Sequence, residues 1–117
     1  MTLTGVGNAS VSSLFFLNAA GGPTGQFGIF FYGANQITFP LGNGVKCVGG
    51  GGFGQYRLGA VMADPTGMAT RMVDYTTQTV PAGIITAGSV WNFQYFYRDS
   101  FGAMTNYSDA LSATFCP

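Results

Sequence analysis

The chain has 117 residues, no net charge and only 7% charged side chains, against 47% hydrophobic and 15% aromatic ones. That length suits one domain with a true core, and the apolar content rules out a disordered chain. The absence of histidine removes Ser-His-Asp and Cys-His nucleophile systems and histidine metal sites, and a neutral chain without a basic run cannot supply the counterion release that dominates nucleic-acid binding.

Glutamate is missing altogether, and Lys46 is the single lysine. With the good helix formers scarce and nineteen glycines present, long helices are disfavoured, while Phe, Tyr, Thr and Val favour strands. Short apolar runs between Gly, Asn, Asp and Pro are the cue for a sandwich or barrel. The first predicted strand is Val11 to Leu17, after a loosely ordered lead-in over residues 1–9. "SLFFLNAAGG" (13–22) faintly resembles a signal segment but has no basic residue before it, so it reads as a strand and a turn. Any export signal is therefore expected outside these residues, and no run reaches the ~18 apolar residues of a membrane span.

Gln26 to Tyr32, "QFGIFFY", is nearly continuous in apolar character and predicts a central strand covered on both faces. Gln36 to Phe39 alternates, "GNG" (42–44) signals a tight turn, and Val45 to Val48 carries Cys47. The following "GGGG" (49–52) has neither a helix after it nor a Gly-Lys-Ser/Thr ending, so it reads as a turn and not a phosphate cradle. Tyr56 to Met62 and Met68 to Tyr75 are the next strands, joined by Asp64-Pro65-Thr66-Gly67 turn chemistry. Thr76 to Gly88 is a longer connection. Leu111 to Cys116 alternates as the last strand.

Between them lies "VWNFQYFYRDSF" (90–101). In a strand, Trp91, Phe93, Tyr95 and Tyr97 share one face, with Asn92, Gln94, Phe96 and Arg98 on the other. An aromatic row opposite a mostly polar face suits a strand that lines a core and meets water behind it. A sugar platform would need the same rings exposed. Phe96 stands out on the polar face and marks either a covering loop or an interface. The sum is an all-β, two-sheet antiparallel sandwich of the immunoglobulin-like kind, with seven or eight strands in one domain over 1–117.

Cys47 and Cys116 are too far apart for a CxxC pair. They form either a long-range disulfide or two buried thiols. An exported β module favours the bond, worth about 4 kcal/mol in the chain-entropy model. All four carboxylates are aspartates: Asp64, Asp74, Asp99 and Asp109. Asp99 and Asp109 fall at the two ends of one predicted loop, where turn and capping roles outweigh a glycosidase pair. With Asn106 and Ser108 they also offer oxygens for a calcium ion, in a spacing that fits no standard calcium loop. "NAS" (8–10) and "NYS" (106–108) match the glycosylation sequon.

The strings "GQFGIFFYGANQI", "PLGNGVKCVGG", "GSVWNFQYFYRD" and "NYSDALSATFCP" resemble a module near the C-terminus of large secreted proteins of planctomycete-type and related bacteria. The resemblance runs in order from about residue 8 to residue 117. It implies export and a modular, non-catalytic β domain, and brings no catalytic or binding residues with it. The family commonly has proline where Ala34 and Ser100 stand here. The expected function is an extracellular structural or adhesion module that associates with itself, with other extracellular proteins or with a surface, because so little charge leaves little repulsion between copies. The alternative is a glycan-binding module, with or without calcium.

Overall fold

Every regular element among the described residues is a strand. The computed structural model describes residues 1–7, 9, 15–50, 55–73, 85–99 and 105–116. Nine strands follow in order: β1 (Thr2–Gly7), β2 (Phe15–Ala20), β3 (Phe27–Gly33), β4 (Asn35–Leu41), β5 (Gly44–Gly49), β6 (Gln55–Met62), β7 (Ala69–Met72), β8 (Val90–Arg98) and β9 (Thr105–Thr114). Two antiparallel sheets pack as a sandwich, one in the order β1-β2-β7 and the other β6-β3-β8-β9. The chain changes sheets between β2 and β3, between β6 and β7, and again between β7 and β8, in an immunoglobulin-like arrangement. β4 and β5 pair only with each other, as a separate hairpin.

Period-two alternation builds the core. Phe15, Leu17 and Ala19 of β2 point inward between half-buried neighbours. From the facing sheet, β3 contributes Phe30 and Tyr32, β6 contributes Tyr56, and β8 contributes Trp91, Phe93, Tyr95 and Tyr97. Rings meet edge to face across the layers, where Phe15 lies 6.4 Å from Phe93 and 5.7 Å from Phe115, and within the four-stranded sheet, where Tyr32 lies 5.2 Å from Trp91 at 87°. Their polar atoms have partners. The Trp91 indole donates to Ser89 Oγ at 3.0 Å, and the Tyr95 hydroxyl donates to the Val61 carbonyl at 3.3 Å. β3 is buried on both sides: Phe30 and Tyr32 enter the core, while Phe31, 5% exposed, lies on the opposite face.

Differences from the sequence reading concentrate at the ends. Thr2–Gly7 carries no clean alternation, yet it pairs along the whole of β2, from Thr2–Ala20 to Gly7–Phe15. The first predicted strand is shifted, with β2 running on to Ala20; residues 11–14 lie outside the described residues, as do Asp74, Ser100 and most of the 76–88 connection. β9 begins at Thr105 and not at Leu111. Part of the predicted Asp99–Asp109 loop is therefore strand.

A β-bulge explains why. The β8–β9 register slips between Gln94 and Phe96, so that Ser108 and Asp109 together oppose Tyr95. Groups displaced there find other partners. Ser108 Oγ accepts the Tyr95 amide at 2.9 Å, the Ser108 carbonyl accepts from Gln94 Nε2 at 2.6 Å, and the Asp109 amide donates to the Met1 carbonyl at 3.1 Å. Asp109 Oδ1 then accepts the Leu3 amide at 2.6 Å, tying β9 to β1 across the edge of the sandwich.

Candidate functional site

The outer face of the four-stranded sheet is where chemistry gathers. The expectation of a solvent-facing polar row does not hold there: Asn92 is 4% exposed and Gln94 fully buried, because the β4–β5 hairpin folds over them. Gln94 is the latch. Its Oε1 accepts the Cys47 amide at 2.8 Å, and its Nε2 donates to the Val45 carbonyl at 2.9 Å. An amide offers one acceptor and two donors in a plane, so a glutamine can occupy a strand edge as a neighbouring backbone would. Asn92 repeats the device, accepting from Gln36 Nε2 at 3.1 Å and donating to the Gly33 carbonyl at 3.3 Å. At the turn, the Asn43 amide donates to the Thr105 carbonyl at 2.8 Å. Positive φ at Gly42, 63°, suits the two-residue connection.

Held this way, the hairpin shows a different character outward. Every residue of β4 is exposed, and Ile37, Phe39, Leu41 and Val45 are 38, 55, 45 and 40% exposed. Its one charged residue is Lys46. A cleft of about 550 Å³ opens between hairpin and sheet, bordered by Gln36, Thr38, Cys47, Asn92 and Ser112.

Beside the hairpin lies a second depression, of about 280 Å³, walled by Phe31, Phe96 and Tyr107 with Lys46 and Arg57 at its sides. Tyr107 packs at 4.9 Å on Phe96, tilted by 40°, and meets Phe31 edge-on at 6.1 Å, 77°. The Lys46 ammonium stands 6.0 Å from the centre of the Phe31 ring. Burial pushes the Tyr107 hydroxyl above its usual pKa. Phe96, the unexplained ring on the polar face, thus belongs to an outer aromatic cluster.

The residues singled out in the sequence are dispersed. Trp91, Phe93, Tyr95 and Tyr97 are 7, 0, 1 and 5% exposed, inside the core. The oxygens of Asp99, Asn106, Ser108 and Asp109 are divided among separate partners: Asn106 Nδ2 donates to Asp99 Oδ2 at 3.2 Å, whereas Ser108 and Asp109 serve the β9 bulge and β1. No group of three or more Cys, Asp or Glu gathers among the described residues. Asp64 closes its turn by accepting from the Thr66 and Met68 amides and the Thr66 hydroxyl, and the Thr66 hydroxyl above all holds its carboxyl below the usual range.

The expected Cys47–Cys116 disulfide is not formed; both are free thiols. Cys47 is held beside Gln94, whose β9 partner is Ala110. From there the chain runs on four residues to Thr114 before reaching Cys116, roughly 13 Å at about 3.3 Å per residue, and a disulfide needs Cα atoms within about 7 Å. Cys116 Sγ instead donates to the Ala9 carbonyl at 3.3 Å.

What sequence reasoning missed is the amide latch. The signal was present: the central outward positions of β8 are two amides, Asn92 and Gln94, and not charges. A paired amide is buried at far lower desolvation cost than a charge. No helix of the described residues is long and apolar enough to cross a membrane. Compared with known proteins, the chain matches no family model, and no curated protein matches it.

Proposed function

We propose that this chain is a non-catalytic extracellular structural or adhesion module that works by self-association, with surface attachment as the same property turned outward. The observation that carries this reading is the hairpin: latched onto the four-stranded sheet by Gln94, it turns an apolar, carboxylate-free surface outward, with Phe39 55% and Leu41 45% exposed. Scattered exposed apolar residues are ordinary, but four on one hairpin with a single charge mark a contact surface. A chain with no net charge adds little repulsion between copies. Pro40 and the register break between Gln36 and Phe39 blunt the free edge of β4, so contact runs through side chains and not through added strand pairing. The sequence resemblance to exported bacterial modules supports the extracellular setting.

Sedimentation equilibrium across a concentration series tests it. Reversible association that Phe39→Asp abolishes is the expected result. A strict monomer at every concentration, or association that Phe39→Asp and Leu41→Lys leave unchanged, overturns it. The aromatic depression beside the hairpin favours a second reading, a glycan-binding role.

A further inference from the structure

Resting on the glycan-binding reading of the aromatic depression, we infer that the outer face of the β6-β3-β8-β9 sheet binds an acidic polysaccharide, one negatively charged sugar at a time, in the groove between Lys46, Arg57 and Arg98. The groove has two parts. The first is the depression of about 280 Å³ floored by Ile29, Phe31, Phe96 and Tyr107 and flanked by Lys46 and Arg57. The second, of about 250 Å³, shares Ile29 and Phe96 with it and continues past Phe27, 52% exposed, to Arg98. Each part is smaller than the ~300–1,000 Å³ of a typical small-molecule pocket, so each admits one ring. Two ring-sized places in a row on one strip of sheet suit a chain of sugars better than a single compact ligand.

Charge distribution points the same way. The protein has four cationic side chains and no net charge, yet three of the four line this one groove. The fourth, Arg71, is on β7 in the other sheet. Two carboxylates are engaged elsewhere, Asp64 in its turn and Asp109 of β9 on the Leu3 amide of β1. Asp99 follows Arg98 directly, bonds Asn106 and acts on Tyr97 at that end of the groove. Asp74 lies outside the described residues. The result is positive charge gathered at the Lys46 and Arg57 part of the groove, with Asp99 beside Arg98 at the other, on a chain with no net charge.

An acidic sugar matches each component. Its C–H face packs on Ile29 and the aromatic walls, its hydroxyls meet the Tyr107 hydroxyl and the Gln55 amide at the rim, and its carboxylate or sulfate pairs with the cations. Single-stranded nucleic acid also seeks cations, but it needs a basic groove that tracks a run of phosphates, and a chain with four cationic side chains and no net charge supplies little of that counterion release.

The test is affinity electrophoresis and titration calorimetry with polygalacturonate, chondroitin sulfate, neutral dextran and a thymidine oligonucleotide. Binding to one or both acidic glycans, weakened by salt and absent with dextran, is expected; the first two probes separate a carboxylate from a sulfate preference. Arg57→Gln or Lys46→Gln should weaken binding about tenfold, the loss of one charge-assisted contact. Arg71→Gln should not change it. Both groove substitutions are at partly or fully exposed positions, so folding is preserved, and Phe39→Asp is run in parallel so that loss of self-association is distinguishable from loss of ligand. Dextran binding equal to that of the acidic glycans, oligonucleotide binding in their place, an Arg71→Gln loss as large as that of Arg57→Gln, or no binding at all would each overturn the inference.

Discussion

Gln94 binds the backbone of Cys47 as a neighbouring strand would, with its Oε1 2.8 Å from the Cys47 nitrogen. With the bonds from its Nε2 to Val45 and Ser108, this one amide joins the hairpin, β8 and the β9 bulge. Gln94→Leu removes all three bonds and leaves three backbone groups facing an apolar side chain. An expected loss of about 2–4 kcal/mol follows from such unsatisfied groups. Gln94→Glu keeps the acceptor for Cys47 but opposes the Val45 and Ser108 carbonyls with oxygen, and should cost at least as much. Urea unfolding gives the size. Hydrogen exchange gives the place: the Cys47 amide should lose protection before the amides of β3 and β8 do.

Gly33 lies where the hairpin turns back over the sheet. A Cβ built there would stand 2.5 Å from the Gly49 carbonyl oxygen, a backbone atom that cannot step aside. Gly33→Ala should therefore push the hairpin off its seat, at about 1–3 kcal/mol. The chemical shifts of Asn35 to Gly49 should move most. If those of β1, β2 and β7 move equally, the hairpin is not the separate unit described.

Thiol chemistry checks the free cysteines. Without reducing agent, Ellman's reagent should titrate two thiols per chain in denaturant. In the folded state exposed Cys116 should react ahead of half-buried Cys47. Replacing both by serine should leave the melting temperature nearly unchanged, whereas removing a bond across so long a loop would cost about 4 kcal/mol.

At high pH the core rings set the limit. Burial pushes the Tyr95 hydroxyl up to about 12, and it raises Tyr97 as well, with Asp99 adding to the effect. A folded pKa above the unfolded value of about 10 means that the neutral phenol contributes stability fully below pH 10. That contribution fades as pH rises from 10 toward 12. Absorbance at 295 nm should show late-titrating tyrosines and a loss of stability in the same window. Tyr95→Phe should flatten that alkaline fall. It also removes the bond to Val61, so its stability at neutral pH should be lower by about 1 kcal/mol.

Much of the sandwich was legible because local pattern carried it. The period-two row Trp91, Phe93, Tyr95, Tyr97 places one face of β8 inward whatever its neighbours are. The apolar run through Phe30, Phe31 and Tyr32 shows in the same way that β3 is covered twice. The candidate site was not legible, since it depends on contacts far apart in sequence. Nothing local says that residues 35–49 return over Asn92 and Gln94, or that Lys46 and Arg57 end beside Phe96. The β9 bulge was hidden too, because Ser108 and Asp109 are as ordinary in a loop as in a strand. Phe96 alone signalled the groove, as the apolar residue in the wrong row.

Because β4 and β5 contribute no rung to either sheet, the presented surface and the scaffold beneath can vary separately. Changes that keep Asn92, Gln94 and Gly33 should leave the seat of the hairpin intact. Substitutions at the outward side chains of residues 35–49 should then alter what the hairpin presents while the sandwich beneath keeps its register.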